Sequence, residues 1–198
     1  MSTESWLAAR SSFRVGDQGR KHLDGEDVIS IQVEHNFETA HRLPFLGGKC
    51  ENLHGHSWWV EFDISRVDVE DGINDAGISV EYGEVKKLIR DWIDTYLDHG
   101  TMLGLNDGLL EPLLMAHTKM FVFGADNDSD LEKDFSQLPN GFYTQLPWPT
   151  VEAVAKMLSD KIQELLDRKY ADVFMHLYVN AVKVRETHVN SAIYLQGV

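Results

Sequence analysis

The sequence predicts an α+β domain built in the order strand, strand, helix, helix, strand, strand. Three observations predict it. Apolar and polar residues alternate over 29–37 and again over 54–64, the period of a strand with one buried face. Two later stretches, 85–97 and 151–166, switch to helical spacing. Two β-rich stretches, 173–186 and 189–195, close the chain.

Taken in order, residues 1–26 carry Gly16, Gly19 and Gly25 among scattered charges without periodicity. They read as a flexible N-terminal arm ahead of a single domain, 27–198. Ile29, Ile31, Val33, His35 and Phe37 then share one parity, with Ser30, Gln32, Glu34 and Asn36 on the other. Leu43-Pro44-Phe45-Leu46-Gly47-Gly48 breaks the strand into a loop. The second strand puts His54, His56, Trp58, Val60, Phe62 and Ile64 on one face. Val85, Leu88, Ile89, Trp92, Ile93, Tyr96 and Leu97 form one stripe of a helix, with Gly100 as its stop. Thr150, after Pro149, is placed to cap the second helix, whose stripe is Val151, Val154, Ala155, Leu158, Ile162, Leu165 and Leu166.

The connection between the helices, about 107–148, is too long for a compact domain and reads as an insertion. It contains Asp126-x-Asp128-x-Asp130, which begins like a calcium loop. The sixth position is Leu131 rather than glycine and the twelfth is Gln137 rather than glutamate, so a solvated acidic loop is expected.

Composition narrows the function. With 18 Lys+Arg against 32 Asp+Glu the formal charge is −14, the opposite of a nucleic-acid-binding surface. No apolar run approaches the ~20 residues of a membrane span, and Met1-Ser2-Thr3-Glu4-Ser5 does not open a signal peptide. One cysteine, Cys50, excludes an internal disulfide framework. A soluble, cytoplasmic protein with no nucleic-acid or membrane partner is expected.

The chemistry concentrates in His41-Arg42-Leu43 and Cys50-Glu51-Asn52-Leu53-His54-Gly55-His56. Residues two apart on a strand point the same way, so His54 and His56 form a chelate. His41 ends the preceding strand and supplies a third nitrogen if the two strands pair as a hairpin. Three imidazoles with one position left open is the arrangement of catalytic zinc. Cys50 remains ambiguous on spacing: a fourth ligand, an inert thiol, or a reactive base beside the metal. Asp98-His99, at the end of the first helix, can act as an oriented proton relay or as a simple helix-end pair. Glu186 stands near the end of an apolar strand, where spacing alone makes it a solvated residue.

These residues resemble the 6-pyruvoyl-tetrahydropterin synthase superfamily. The resemblance rests on five signatures in order: Phe37-Glu38-Thr39-Ala40-His41-Arg42-Leu43, Cys50-x3-His54-Gly55-His56-Ser57, Leu97-Asp98-His99, Pro149-Thr150-x-Glu152 and Val184-x-Glu186-Thr187. Three residues between Cys50 and His54 look like the 6-carboxy-tetrahydropterin synthase branch of queuosine and 7-deazapurine biosynthesis. The branch that makes biopterin typically has a longer spacer.

The resemblance implies the tunnelling fold, an antiparallel four-stranded sheet with two helices, assembling into an oligomeric barrel, commonly a hexamer, with active sites between subunits. It implies a lyase that converts 7,8-dihydroneopterin triphosphate to 6-carboxy-5,6,7,8-tetrahydropterin with release of acetaldehyde and triphosphate. Zinc would be held by His41, His54 and His56, with Cys50 as the base and His99, oriented by Asp98, shuttling protons. Glu186 would bind the pterin edge, with Thr150 and Thr187 adding contacts. Arg42, Lys49, Lys86, Lys87 and Arg185 are the cations available to phosphates. Glu81-Tyr82 stands where the family usually has Asp-Phe. The alternatives are 6-pyruvoyl-tetrahydropterin synthase activity, a pterin aldolase or epimerase on the same fold, and a non-catalytic zinc-stabilised assembly module in which Cys50 closes the metal shell.

Overall fold

A computed structural model describes residues 29–125, 142–173 and 175–196. The N-terminal arm 1–26 and the acidic run at 126–130 lie outside the described residues. Among those described, seven strands form one sheet and three α-helices pack on it.

The first strand, β1 (Ser30–His41), pairs antiparallel along its whole length with β2 (His54–Arg66). β2 pairs antiparallel with β6 (Leu177–Arg185), and β6 with β7 (Ser191–Leu195). These four are the expected antiparallel set. The sheet does not stop there. β3 (Gly100–Gly104) lies parallel to the end of β1, followed by β4 (Met120–Phe123) and β5 (Tyr143–Thr144), giving the order β5-β4-β3-β1-β2-β6-β7. The four-stranded expectation is therefore corrected to seven.

Two of the three extra strands, β4 and β5, come from the segment read as an insertion, whereas β3 precedes it. All four β4 residues are buried, and a short continuous apolar run, without alternation, is how a strand covered on both faces reads. Met102, Phe121 and Phe123 belong to the main core, whereas Leu103, Met120 and Val122 pack with Leu110 and Leu114 of the short helix α2 (Leu110–Met115).

The main core lies between one face of β1, β2 and β6 and the two long helices, α1 (Tyr82–Tyr96) and α3 (Val151–Tyr170). Ile31, Val33 and Phe37 of β1 and Trp58, Val60, Phe62 and Ile64 of β2 meet Val85, Ile89 and Ile93 of α1 and Val154, Leu158 and Ile162 of α3. The opposite parity, including Gln32, Glu34, Asn36 and Glu38, is exposed. A bulge in the β2–β6 pairing, where Asp63 faces Ala181 but Ile64 faces Val179, resets the alternation of β6 so that Val179 and Val182 both face the core. The extra residue, Asn180, donates to Asp63 at 2.6 Å and accepts from Ser65 at 3.0 Å.

Capping follows the sequence at both long helices. Thr150 Oγ1 accepts from the Ala153 amide at 3.2 Å, and Glu81 accepts from the amides of Gly83 and Glu84 at 2.9 and 2.8 Å. The end of α1 differs from expectation. Helix geometry stops at Tyr96, the left-handed residue is His99 (φ 54), and Gly100 instead opens β3. None of the described helices is long and apolar enough to cross a membrane.

Candidate metal centre and active site

The β1–β2 hairpin builds the centre directly. Its register sets His41 opposite His54 and Thr39 opposite His56, so all three imidazoles emerge on the helix-covered face at one end of the sheet. Their ring centroids stand 4.7, 4.8 and 5.3 Å apart, and one nitrogen from each lies within 4.8 Å of the others. Trp58, fully buried one step further along β2, meets the rings of His41 and His56 edge-on at 5.0 and 5.8 Å. Its indole N–H donates to the Thr39 carbonyl at 3.1 Å.

The proton positions follow from the partners. His41 Nδ1 is 2.9 Å from the Pro149 carbonyl oxygen and His54 Nδ1 is 2.7 Å from that of Asn52. A carbonyl only accepts, so each Nδ1 carries the proton, and in the neutral ring Nε2 keeps its lone pair. The Nε2 atoms of His41 and His56 are buried without a hydrogen-bond partner, a costly state for a polar atom. Two orphaned nitrogens beside a third histidine fit a divalent transition-metal ion, which takes neutral imidazole as ligand.

Glu186, just beyond β6, completes the surroundings. One carboxylate oxygen lies 3.2 Å from His41 Nε2 and 3.9 Å from His56 Nε2. Positive charge among the rings holds this carboxyl below the usual carboxylate range: a proton on His41 Nε2, donated to it, outweighs the opposing effect of burial, and charge on His56 and His54 adds to the downward shift. Burial holds the His56 imidazole below its ordinary range; Glu186 opposes the shift and the other two histidines reinforce it. A carboxylate facing neutral imidazoles is a cation-attracting arrangement.

Asp98 and His99 immediately precede Gly100, the residue of β3 that pairs with Thr39. Asp98 Oδ2 is 2.6 Å from His99 Nδ1, and its other oxygen accepts from the Glu38 amide at 2.8 Å. The His99 amide donates back to the Glu38 carbonyl at 2.7 Å. Burial works to raise the Asp98 pKa, but the Glu38 amide, His99 and Lys119 together hold it down. The His99 side chain is 78% exposed, so its ring is open to a ligand or to a neighbouring chain.

Cys50 lies half-buried in a 3-10 turn, Gly48–Glu51, and its carbonyl accepts from the Leu43 amide at 2.7 Å. That bond folds the 43–50 loop back onto the end of β1. The three-histidine cluster does not include Cys50. Thr187 Oγ1 accepts from the amides of Val189 and Asn190 at 3.3 and 3.0 Å in the β6–β7 turn. The Thr150 hydroxyl caps α3, as described above. Among the described residues, neither threonine hydroxyl has an acceptor for its own proton, so each can still donate. Gly55, between two of the histidines, is not sterically demanded, since the nearest atom to a Cβ there would be Thr39 O at 3.6 Å, an ordinary contact.

The cations divide sharply. Arg42 is not a free phosphate ligand: its guanidinium grips Asp107 through Nε at 2.8 and 3.0 Å and Nη2 at 2.7 Å, and the Asp107 side chain is fully buried. Lys87 pairs with Asp91, and Lys86 lies over the Tyr82 ring. Arg185 stacks 5.6 Å above Trp59 on the sheet face opposite the histidines. Lys49 is exposed on the turn that carries Cys50. Sequence reasoning missed Pro149, Asn52 and Glu38, which act through backbone groups that leave no residue-type signal. It also missed Lys119, whose ammonium donates to the carbonyls of Asp94 and Asp98.

An α+β sheet with three imidazoles converging at one end defines a protein whose histidine cluster could hold a metal ion. The family model for 6-pyruvoyl tetrahydropterin synthase matches residues 30–196. The chain belongs to that family and is an enzyme of its kind. The 6-carboxy-5,6,7,8-tetrahydropterin synthase of Rickettsia bellii is 27% identical over 119 residues, 60% of this chain and 83% of that protein. Among solved structures, the 6-pyruvoyl tetrahydropterin synthase of Caenorhabditis elegans is 18% identical, with a TM-score of 0.52 over 86% of this chain and 96% of its own. A protein from Wolinella succinogenes is 19% identical, with a TM-score of 0.55 over 85% of this chain and 98% of its own. At those identities the structures establish the fold.

Proposed function

We propose that the protein is a zinc-dependent lyase that converts 7,8-dihydroneopterin triphosphate and water to 6-carboxy-5,6,7,8-tetrahydropterin, acetaldehyde and triphosphate. The observation that carries this reading is the convergence of three imidazoles, with the buried Nε2 atoms of His41 and His56 accepting no hydrogen bond, beside the Glu186 carboxylate. The name carried by the Rickettsia relative and the three-residue spacer between Cys50 and His54 support this branch of the family.

His41, His54 and His56 would hold the ion. When bound, zinc supplies Lewis-acid polarisation of the substrate's side-chain oxygens, which makes the adjacent C–H bonds more acidic. Cys50, free of the ligand set, is the base that removes a carbon-bound proton. His99 carries protons on the other side of the substrate side chain. Asp98, anchored by the Glu38 amide, holds the proton on His99 Nδ1 and leaves Nε2 to exchange with substrate. Glu186 accepts from the amino group and ring N–H of the pterin, a two-donor edge that suits a carboxylate. Thr150 and Thr187 donate their hydroxyl protons to the same ring.

Assembly belongs to this proposal. β3 pairs only with Thr39, Ala40 and His41 of β1. Among the described residues, no strand covers the outer edge of β1 over 31–37, while β7 forms the opposite edge of the sheet. Pairing one copy's β1 with another's β7 continues the sheet towards a closed oligomeric barrel, a hexamer on the family pattern. A cytoplasmic location completes the reading.

The test is the product. Zinc-loaded protein incubated with 7,8-dihydroneopterin triphosphate is expected to yield 6-carboxytetrahydropterin and acetaldehyde by mass spectrometry. A pyruvoyl product that retains the side-chain carbons would assign the other branch, and stoichiometric zinc without turnover would indicate an assembly module.

A further inference from the structure

Two glycines of the added parallel strands form a floor beneath residues 147–148. Gly104 ends β3, and a Cβ there would stand 2.5 Å from Cε3 and Cζ3 of Trp148 and 3.0 Å from Cδ2. Such separations are far inside carbon–carbon contact, so any side chain at this position lifts the indole by about 1 Å. Gly124, just past β4, has φ +82, and a Cβ there would stand 3.3 Å from the Pro147 carbonyl oxygen. Phe45, from the loop between His41 and Cys50, packs against Trp148 with ring centroids 5.1 Å apart. The indole is thus held by backbone and by an aromatic ring.

The next residue is buried Pro149, whose carbonyl takes the Nδ1 proton of His41. The Thr150 amide closes onto the Trp148 carbonyl at 2.9 Å, and Thr150 caps α3. The direction of the Pro149 carbonyl is therefore set by Trp148 on one side and by the helix cap on the other.

We propose that the Gly104–Trp148 seat positions the metal ligand His41: by fixing the Pro149 carbonyl, it keeps the proton on Nδ1 and aims Nε2 into the centre. The inference rests on the metal-binding reading above. It gives the β3–β5 extension a role, because the strands that widen the sheet then hold the outer shell of the centre. Hydrogen-bond partners behind a ligating histidine fix its tautomer and orientation.

The experiment measures Zn2+ affinity of the metal-free full chain by competition with a chromophoric chelator at one pH, without substrate. The proteins are wild type, Gly104→Ala, Trp148→Leu and the double variant, with the absorption of bound Co2+ as a second readout of ligand geometry. Gly104→Ala and Trp148→Leu are each expected to lower affinity about tenfold and to alter the Co2+ spectrum. Adding Gly104→Ala to Trp148→Leu should change affinity less than twofold, because no indole remains to be displaced. Wild-type affinity in Trp148→Leu overturns the proposal, and this arm stands even if Gly104→Ala does not fold. An equal loss from Gly104→Ala in both backgrounds also overturns it, since that marks a general folding defect. Wild-type protein that binds no zinc would overturn the metal reading itself, a result distinct from either of these.

Discussion

Lys119 reaches back from the start of β4 to place its ammonium 2.5 Å from the carbonyl oxygen of Asp98 and 2.8 Å from that of Asp94. These are acceptors at the C-terminal end of α1, where carbonyls lack helical partners and a cation is favoured by the helix dipole. Two residues of the inserted strands' edge and helix end, Lys119 and Asp98, therefore fix the stem of His99, a non-glycine residue held at φ 54.

Lys119→Met is expected to cost about 1–2 kcal/mol of stability, from lost charged hydrogen bonds to partly buried carbonyls. If the His99 ring carries protons as proposed, the substitution should also lower turnover more than it changes substrate KM. Urea unfolding and steady-state kinetics check the two halves separately. Wild-type kcat with reduced stability would make Lys119 a helix cap alone.

Glu186→Gln keeps the size of the side chain and removes its charge. If Glu186 binds the pterin edge, KM should rise about tenfold, in line with the loss of a hydrogen bond to a charged acceptor. Zinc content should stay at the wild-type level, because in the proposed site the three histidines supply the ligands. Unchanged KM would take Glu186 out of the pterin site, and lost zinc would make it a ligand.

Asp68 provides a pH test remote from the centre. Burial raises its pKa, but hydrogen bonds from Arg66 and from the His176 amide outweigh that and hold it below the usual carboxylate value. Arg66 Nη2 and Nε lie 2.7 and 3.0 Å from the carboxylate, and the His176 amide lies 2.8 Å away. A carboxyl depressed in the folded state stabilises fully above its unfolded pKa and loses that contribution as pH falls through the folded value. Asp68→Asn should therefore be less stable than wild type at pH 7 by about 1–2 kcal/mol, with the gap closing below about pH 4. Urea titrations at a series of pH values measure it; a gap independent of pH would show that the charge is not the stabilising element.

The sequence shows its antiparallel half plainly, and physical reasons explain where it falls silent. Alternation in 29–37, and for the most part in 54–64, marks β1 and β2 because β1 and the first half of β2 have one wet face. The same pairing sets His41 opposite His54, so the three-histidine cluster was legible from a hairpin and a spacing of two. β4 was not legible: Met120-Phe121-Val122-Phe123 is buried on both faces and has no polar parity to betray it. Gly100 read as a helix stop because glycine is the usual left-handed residue, yet His99 takes that conformation and Gly100 begins a strand. Arg42 read as one of the cations available to phosphates because its partner, Asp107, lies far along the chain in a segment with no clear period. Pro149 gave no warning at all, since its contribution is a carbonyl.

The central claim is that three imidazoles hold a divalent ion while the sulfur of Cys50 stays off it. X-ray absorption at the zinc edge of the purified, substrate-free protein tests it most directly. The account predicts one zinc per chain with nitrogen or oxygen neighbours at about 2.0–2.1 Å and no sulfur shell. A sulfur neighbour at about 2.3 Å would contradict it.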